Sequence, residues 1–236
     1  MSEGFSFRRP AHLAALIFLI VACVFALMPV LWAFSTAFKI PQEVRAVPAS
    51  WIPDQPTIDN WSRALLSGKF LRYLLNTLLV VGGSLVLSLV LAVHAAWATV
   101  RFRFFGRDFS LLLMWATIMI PGVSIIVPLY LVTVDVGIYD TLFALILVYS
   151  AWLVPTLTWL LRGFVASVPV EIEEAARMDG CSTLGAFYRV CLPLTWPGLI
   201  AGSILVFVMI WNEFLIGYSL TLSDANRLIQ VGIYYF

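Results

Sequence analysis

Five apolar stretches, each near or above the length needed to cross a bilayer, constrain this chain more than any other feature. They run approximately over Leu13–Phe38, Leu71–Ala98, Phe109–Val134, Leu142–Leu161 and Gly198–Leu222. A hydrocarbon core about 30 Å thick is spanned by roughly 20 apolar helical residues. Within it every backbone N–H and C=O must bond inside its own segment, which selects helices. The chain shows no strand alternation, so the expected fold is all-α. The first stretch is too long for the core of a signal peptide and no A-x-A site follows it, so it reads as a retained span.

Composition agrees. Of 236 residues, 62% are hydrophobic and 11% charged, whereas a soluble domain covers its surface with about 25% charged residues. A net charge of +1 gives no basic field for nucleic acid. The three cysteines, Cys23, Cys181 and Cys191, form no C-x-x-C, and neither a disulfide nor a metal site is expected.

Basic residues suggest the orientation. Arg8 and Arg9 precede the first span. Arg101, Arg103 and Arg107 follow the second, and Arg162, Arg177 and Arg189 follow the fourth. The positive-inside rule places these segments, and with them the N-terminus, in the cytoplasm. Region 39–70 then lies outside. It carries Lys39, Arg45, Arg63 and Lys69 against Glu43, Asp54 and Asp59, with prolines at 41, 48, 53 and 56. Trp51 and Trp61 suit the headgroup layer. Five spans also leave Ser223–Phe236 outside.

The polar segment 163–197 is the candidate working part. Pro169 suits the first turn of a helix over Val170–Asp179, and Glu171, Glu173 and Glu174 complement its dipole. Gly180 is placed to end it in a left-handed cap. Ser182 can cap a second helix, on which Leu184, Phe187, Tyr188 and Cys191 make one apolar stripe before Pro193 and Pro197 stop it. Two short helices about a Gly turn form a knob able to sit in a groove of another protein. Ala175 and Ala176 keep its first helix slim. By composition alone, an amphipathic connector on the membrane surface fits as well.

Spacing favours the knob. Glu174-Ala175-Ala176, then Gly180, Val190 and Leu192-Pro193 resemble the EAA loop of ATP-binding-cassette importer permeases, with valine where isoleucine is commoner. Val127-Pro128-Leu129-Tyr130, Gly137-Ile138-Tyr139-Asp140-Thr141, Pro169–Glu174 and Trp211-Asn212-Glu213-Phe214 resemble the carbohydrate-uptake branch typified by the second maltose permease subunit. The similarity runs over about residues 13–232. It implies a single transmembrane permease domain over 1–236 with the type I importer (MetI-like) fold. Such permeases usually carry one span more, so a sixth is expected beyond the five seen. The resemblance further implies a second homologous permease subunit, an ATPase dimer below, an external substrate-binding protein, and residence in a prokaryotic cell membrane. The ATPase-coupling surface would comprise Glu173, Glu174, Ala175, Ala176, Asp179, Gly180, Leu184 and Phe187. No G-x-x-x-x-G-K-[ST] occurs, so ATP and Mg would belong to the partner, with no cofactor in this chain.

Candidates for the solute path are Asn212, Glu213, Asn76 and Tyr130. A carboxyl inside a span must face protein or a water-filled cavity. Glu213 could therefore accept from sugar hydroxyls or a docked binding protein, or bond to the partner permease. Asn76 and Thr77 suit bonds between helices. His12 and His94 lack ligand partners at metal-binding spacing and read as packing residues. Pro29, Pro121, Pro128 and Pro155 can kink their spans. The cargo is expected to be a di- or oligosaccharide, with a glycerol phosphate ester as a nearer rival. An integral membrane enzyme and an ion-coupled carrier are the rivals from other classes.

Overall fold

A computed structural model describes residues 10–66 and 68–235. Arg8 and Arg9, on which part of the orientation rests, and Phe236 lie outside the described residues. The chain divides into two compact units, Met1–Gly68 and Lys69–Phe236. Among the described residues all regular structure is helical. Three helices are long and apolar enough to cross a membrane, and five spans result if each sharply bent pair counts as one.

In the first unit, α1 (Pro10–Ala37) is an uninterrupted helix of 28 residues through Pro29. The segment after it is folded. It holds α2 (Pro41–Val44) and α3 (Asp59–Leu66). Lys39 is 2% exposed, with its ammonium 4.4 Å from the Trp32 ring centroid and donating to the Ser50 carbonyl. Trp51 meets Trp32 edge-on at 4.9 Å, so its ring serves packing within the unit. Asn60 Nδ2 donates to the carbonyls of Ala37 and Lys39 at 3.1 and 2.8 Å. The Glu43 carboxylate accepts from Ser50 Oγ and Asp54 N at 3.2 and 2.7 Å. Each of these polar groups thus finds a partner, as burial demands.

The second unit is built on α4 (Lys69–Arg101) and α7 (Leu142–Ser167). Val80, Ser84, Ser88, Ala92 and Ala96 recur every four residues along α4, and all are fully buried. Leu145, Tyr149, Leu153, Leu157, Leu161 and Val165 recur at the same interval along α7 and are likewise fully buried. A ridge of small residues faces a ridge of large ones, so the axes approach closely without voids. Ser150 Oγ reaches the Ser84 carbonyl at 3.4 Å, while Arg101 reaches Val165 and Val168. The two helices therefore run parallel.

A parallel pair needs a return crossing, and α5 (Arg107–Met119) with α6 (Gly122–Asp135) supplies it. The expected single helix over Phe109–Val134 is instead two, bent by 102°. Pro121 explains the break: it forces the preceding Ile120 into an extended conformation (ψ 123°). Pro128 and Pro155 lie inside α6 and α7 without interrupting them.

The last expected span is also divided. Helix α11 (Trp196–Trp211) ends after 16 residues, and the short α12 (Leu215–Leu220) follows a break at Asn212–Phe214. Beyond it the chain packs back on the start of α4 through α13 (Ile229–Gly232). Asn76 Nδ2 donates to the carbonyls of Ala225 and Arg227 at 2.8 and 3.0 Å. Ile229 N donates to Thr77 Oγ1 at 2.8 Å.

Asp140 holds the same end together from the α6–α7 turn. It adopts a left-handed φ of 57°, and its Oδ1 accepts from Leu222 N and Ser223 N at 2.9 and 3.1 Å. Burial works to raise this carboxyl, but the bonds from Leu222, Ser223 and Asn226 outweigh it and hold it below its ordinary value.

Two substitutions test the packing. Ala92→Leu should overfill the small ridge and destabilise by about 1–3 kcal/mol, whereas Leu91→Ala on the exposed side should shift stability by no more than about 0.5 kcal/mol. Thermal unfolding of the purified chain in detergent reads both. Asp140→Ala strands two N–H donors and should cost about 1–3 kcal/mol. Because the Asp140 carboxyl is depressed, its contribution is complete at neutral pH and is lost only as pH falls below its ordinary value of 3.8.

Candidate coupling site

Val168-Pro169 ends α7, and α8 (Val170–Met178) starts directly after it. Gly180 follows at φ +93° with nothing within 4 Å of a notional Cβ, so the backbone conformation alone calls for glycine there. Ser182 Oγ accepts from Gly185 N at 3.0 Å and caps α9 (Thr183–Ala186). Both helices and the turn match the sequence reading.

The continuation differs. After α9 the chain enters a wide π-turn over Phe187–Cys191, with Leu192 N donating to the Phe187 carbonyl five residues back. Pro193 has no N–H to give a normal helical bond, and the wide turn accommodates it. The helix is not stopped there. It passes through α10 (Leu192–Leu194) and meets α11 at a bend of 71° after Thr195.

The wide turn splits the expected apolar stripe. Phe187 and Cys191 are fully buried, and the Phe187 ring lies 4.5 Å from that of Trp97 on α4. Leu184 is 56% exposed and Tyr188 49%. The Tyr188 hydroxyl is 2.7 Å from His94 Nε2, and His94 Nδ1 is 2.7 Å from the Val90 carbonyl. His94 is thus a packing residue that ties α4 to the knob.

Adjacent glutamates have opposite roles. Glu173 is 6% exposed. Its Oε1 accepts from Arg101 Nε at 2.7 Å and its Oε2 from the Trp97 indole N–H at 3.1 Å. Arg101 Nη2 also donates to the carbonyls of Val165 and Val168 at 3.1 and 2.7 Å. One guanidinium therefore joins the end of α4, the end of α7 and the start of α8. Glu173 and Phe187, expected on the docking surface, face the chain's own core instead. Position along the helix is the reason: consecutive residues point about 100° apart. Glu174, Ala175, Asp179, Gly180 and Leu184 are exposed, with Ala176 half-buried. With Met178 they make an outward face of two carboxylates, small residues and apolar tips.

The expected solute-path residues are dispersed. Glu213 is occupied within the chain: Tyr149 OH donates to Oε2 at 2.7 Å, and Ile216 N donates to Oε1 at 2.9 Å. Gly217 N adds a bond to Oε2 at 3.2 Å. The carboxylate caps α12, a use distinct from both solute binding and pairing with a second permease. Asn212 is exposed but donates to the Val208 carbonyl on its own helix at 2.7 Å. Asn76 is committed to the 225–227 segment. Tyr130 is 40% exposed beside Tyr139, with rings 5.1 Å apart. A recess of about 450 Å³ between α5–α6 and α7, lined by Leu129, Val132, Trp152 and Pro155, is mainly apolar. No group of His, Cys, Asp and Glu among the described residues could hold a metal.

Sequence reasoning missed Arg101 and Trp97 as members of this site. Their signal was available: they stand four residues apart at the end of an apolar span, where an isolated Arg needs a counter-charge.

Removing one partner should expose the dependence. Arg101→Ala leaves Glu173 buried and unpaired, which should cost about 3–5 kcal/mol. Limited proteolysis should then cut within 169–182 earlier than in the parent chain. Glu173→Gln, which keeps an acceptor for Trp97, should be milder.

Similarity to known proteins agrees with this geometry. A family described as binding-protein-dependent transport system inner membrane component matches residues 84–236. The sulfoquinovosyl glycerol transport system permease of Agrobacterium fabrum is 34% identical over 99% of this chain and 80% of its own length. The trehalose transport system permease of Mycobacterium tuberculosis is 34% identical over 96% of this chain and 81% of its own. A bacterial ABC transporter involved in import of the acidic polysaccharide alginate superposes with a TM-score of 0.85 at 23% identity, covering 99% of this chain and 82% of that one. This chain belongs to the inner membrane components of binding-protein-dependent transport systems, the ABC importer permeases.

Proposed function

We propose that this chain is a membrane-spanning permease subunit of an ATP-driven importer that translocates a sugar, a di- or oligosaccharide presented by an external binding protein. The observation that carries the reading is the outward face Glu174-Ala175-Ala176–Gly180, mounted on a buried ion pair. Relatives named for trehalose and sulfoquinovosyl glycerol transport support the sugar assignment.

A partner ATPase pair supplies hydrolysis, with ATP and Mg bound there. Its closure presses on the knob, and Glu174 meets a basic residue of the ATPase groove. A rigid contact is needed for a push to arrive undiminished. Two short helices locked by Gly180, Ser182 and the Arg101–Glu173 pair provide it. The movement enters α4 and α7 together, because Arg101 bonds to both the knob and the α7 terminus. The interdigitated α4–α7 ridges then carry it across the membrane as one body. Solute recognition is shared with a second permease subunit across the α5–α6 face, where this chain offers Tyr130 and the Trp152 recess.

The location is a prokaryotic cell membrane with a cytoplasmic N-terminus. Gathering of Arg101, Arg177, Arg189 and the knob at one end of the parallel α4–α7 pair supports that orientation.

Charge reversal is the direct test. Glu174→Lys should abolish ATPase co-purification and lower uptake of labelled disaccharide at least tenfold, roughly the 1.4 kcal/mol or more at stake in a charge pair turned repulsive. Membrane insertion should stay normal. Uptake at the parental rate by this variant refutes the docking role, and saccharide-independent uptake of another solute refutes the cargo.

A further inference from the structure

The α4–α5 connection reads Arg101-Phe102-Arg103-Phe104-Phe105-Gly106-Arg107-Asp108-Phe109, and the coupling clamp uses only its first residue. Its rings are turned outward. Phe105 is fully exposed, and Phe104 and Phe109 are 46% and 63% exposed. Arg103 and Arg107, with Gly106 and Asp108, line an open cavity of about 420 Å³. Helix α5 starts here without a side-chain cap, its N-cap being Gly106, so its first N–H groups point into polar surroundings unanswered by a side chain.

Alongside, α5 packs on α7 through Trp115 and Trp159, whose rings are 5.0 Å apart. One turn further, the Arg162 guanidinium lies 4.8 Å from the Trp159 centroid and within electrostatic range of Arg107 and Asp108. Arg162 Nε and Nη1 and the Trp159 indole N–H are shut away from solvent and meet no acceptor among the described residues. The neighbouring carboxylate does not answer them: Asp108 is bonded to Arg107 at 2.9 Å, and its side chain is 83% exposed. Three guanidinium groups thus stand around one engaged carboxylate. Buried donors without acceptors are rare in native structures and require a partner.

We infer that this corner holds the phosphate of an anionic membrane lipid. Arg103, Arg107 and Arg162 would supply charge-assisted hydrogen bonds, and Phe105 and Phe109 would insert among the acyl chains. Phosphate suits the site because guanidinium forks bond its oxygens in pairs. A lipid suits it better than a free anion because the exposed rings gain only from a hydrocarbon neighbour. Basic pockets between transmembrane helices at the headgroup level have this chemistry. The inference rests on residence in the membrane and is independent of which solute is carried.

Native mass spectrometry of the assembled importer tests it. The complex is delipidated, then titrated with phosphatidylglycerol, phosphatidylcholine or inorganic phosphate. The parent complex should retain phosphatidylglycerol over phosphatidylcholine by roughly tenfold or more, since each basic residue contributes about 1 kcal/mol near anionic lipid. The R103Q/R107Q/R162Q variant should lose that preference. Equal retention of phosphatidylglycerol by parent and variant overturns the inference, as does its displacement by inorganic phosphate at matched concentration, which marks a free-anion site. Cross-linking of position 162 to another subunit in the lipid-bound complex overturns it too. If the triple variant does not assemble, Phe105→Ser decides. Weaker phosphatidylglycerol retention with unchanged phosphate affinity supports the lipid, and unchanged retention refutes it.

Discussion

Everything in the second unit hangs on two four-residue rhythms that meet. Along α4 the inward positions are small, and along α7 they are large. Apolar side chains gain little from leaving lipid for one another, so helix association in a bilayer depends on fit. Small residues facing large ones let two long parallel helices touch over their whole length. The broken crossing α5–α6, the bent α11 and the returning α13 then arrange themselves around a pair whose geometry is already decided. Parallel direction also fixes which ends meet, and so brings Arg101 beside the start of α8.

That meeting gives the packing a mechanical use. A guanidinium with bonds to a carboxylate on α8 and two carbonyls at the end of α7 removes the freedom a surface loop would ordinarily have. Glu173 costs desolvation when buried, and only its pairing offsets that cost and fixes its position. The exposed residues next to it can then act on a partner from a firm base. The same division recurs at the other end of the bundle, where Glu213, Asn76, Thr77 and Asp140 commit their polarity to the chain's own backbone.

Much of this was legible in the residues. Apolar runs of spanning length identify membrane helices because the bilayer leaves few alternatives. Pro169, Gly180 and Ser182 mark the knob's boundaries because each acts through its own backbone conformation or a bond three residues away. Other features were not legible, for equally physical reasons. Glu173 and Glu174 are the same residue type side by side, and only the rotation of α8 against α4 makes one internal and the other external. The pairing of Glu173 with Arg101 joins positions 72 apart, a separation at which local pattern carries no information. Glu213 read as a polar intrusion in a continuous span, whereas its carboxylate sits at the end of one helix and caps the next. Lys39, in a segment rich in proline and charge, gave no sign that it would be buried against Trp32.

The π-turn at Phe187–Cys191 has a consequence for how such a chain can vary. A wide turn is equivalent to one extra residue lodged in a helix, and each added residue rotates the downstream helix by about 100°. Deleting one residue between Ser182 and Pro193 would restore ordinary winding, swing Phe187 out of its aromatic nest and drive Tyr188 inward. The length of this segment is therefore as tightly held as its chemistry: substitutions can be absorbed there, but a change of count would re-aim α11.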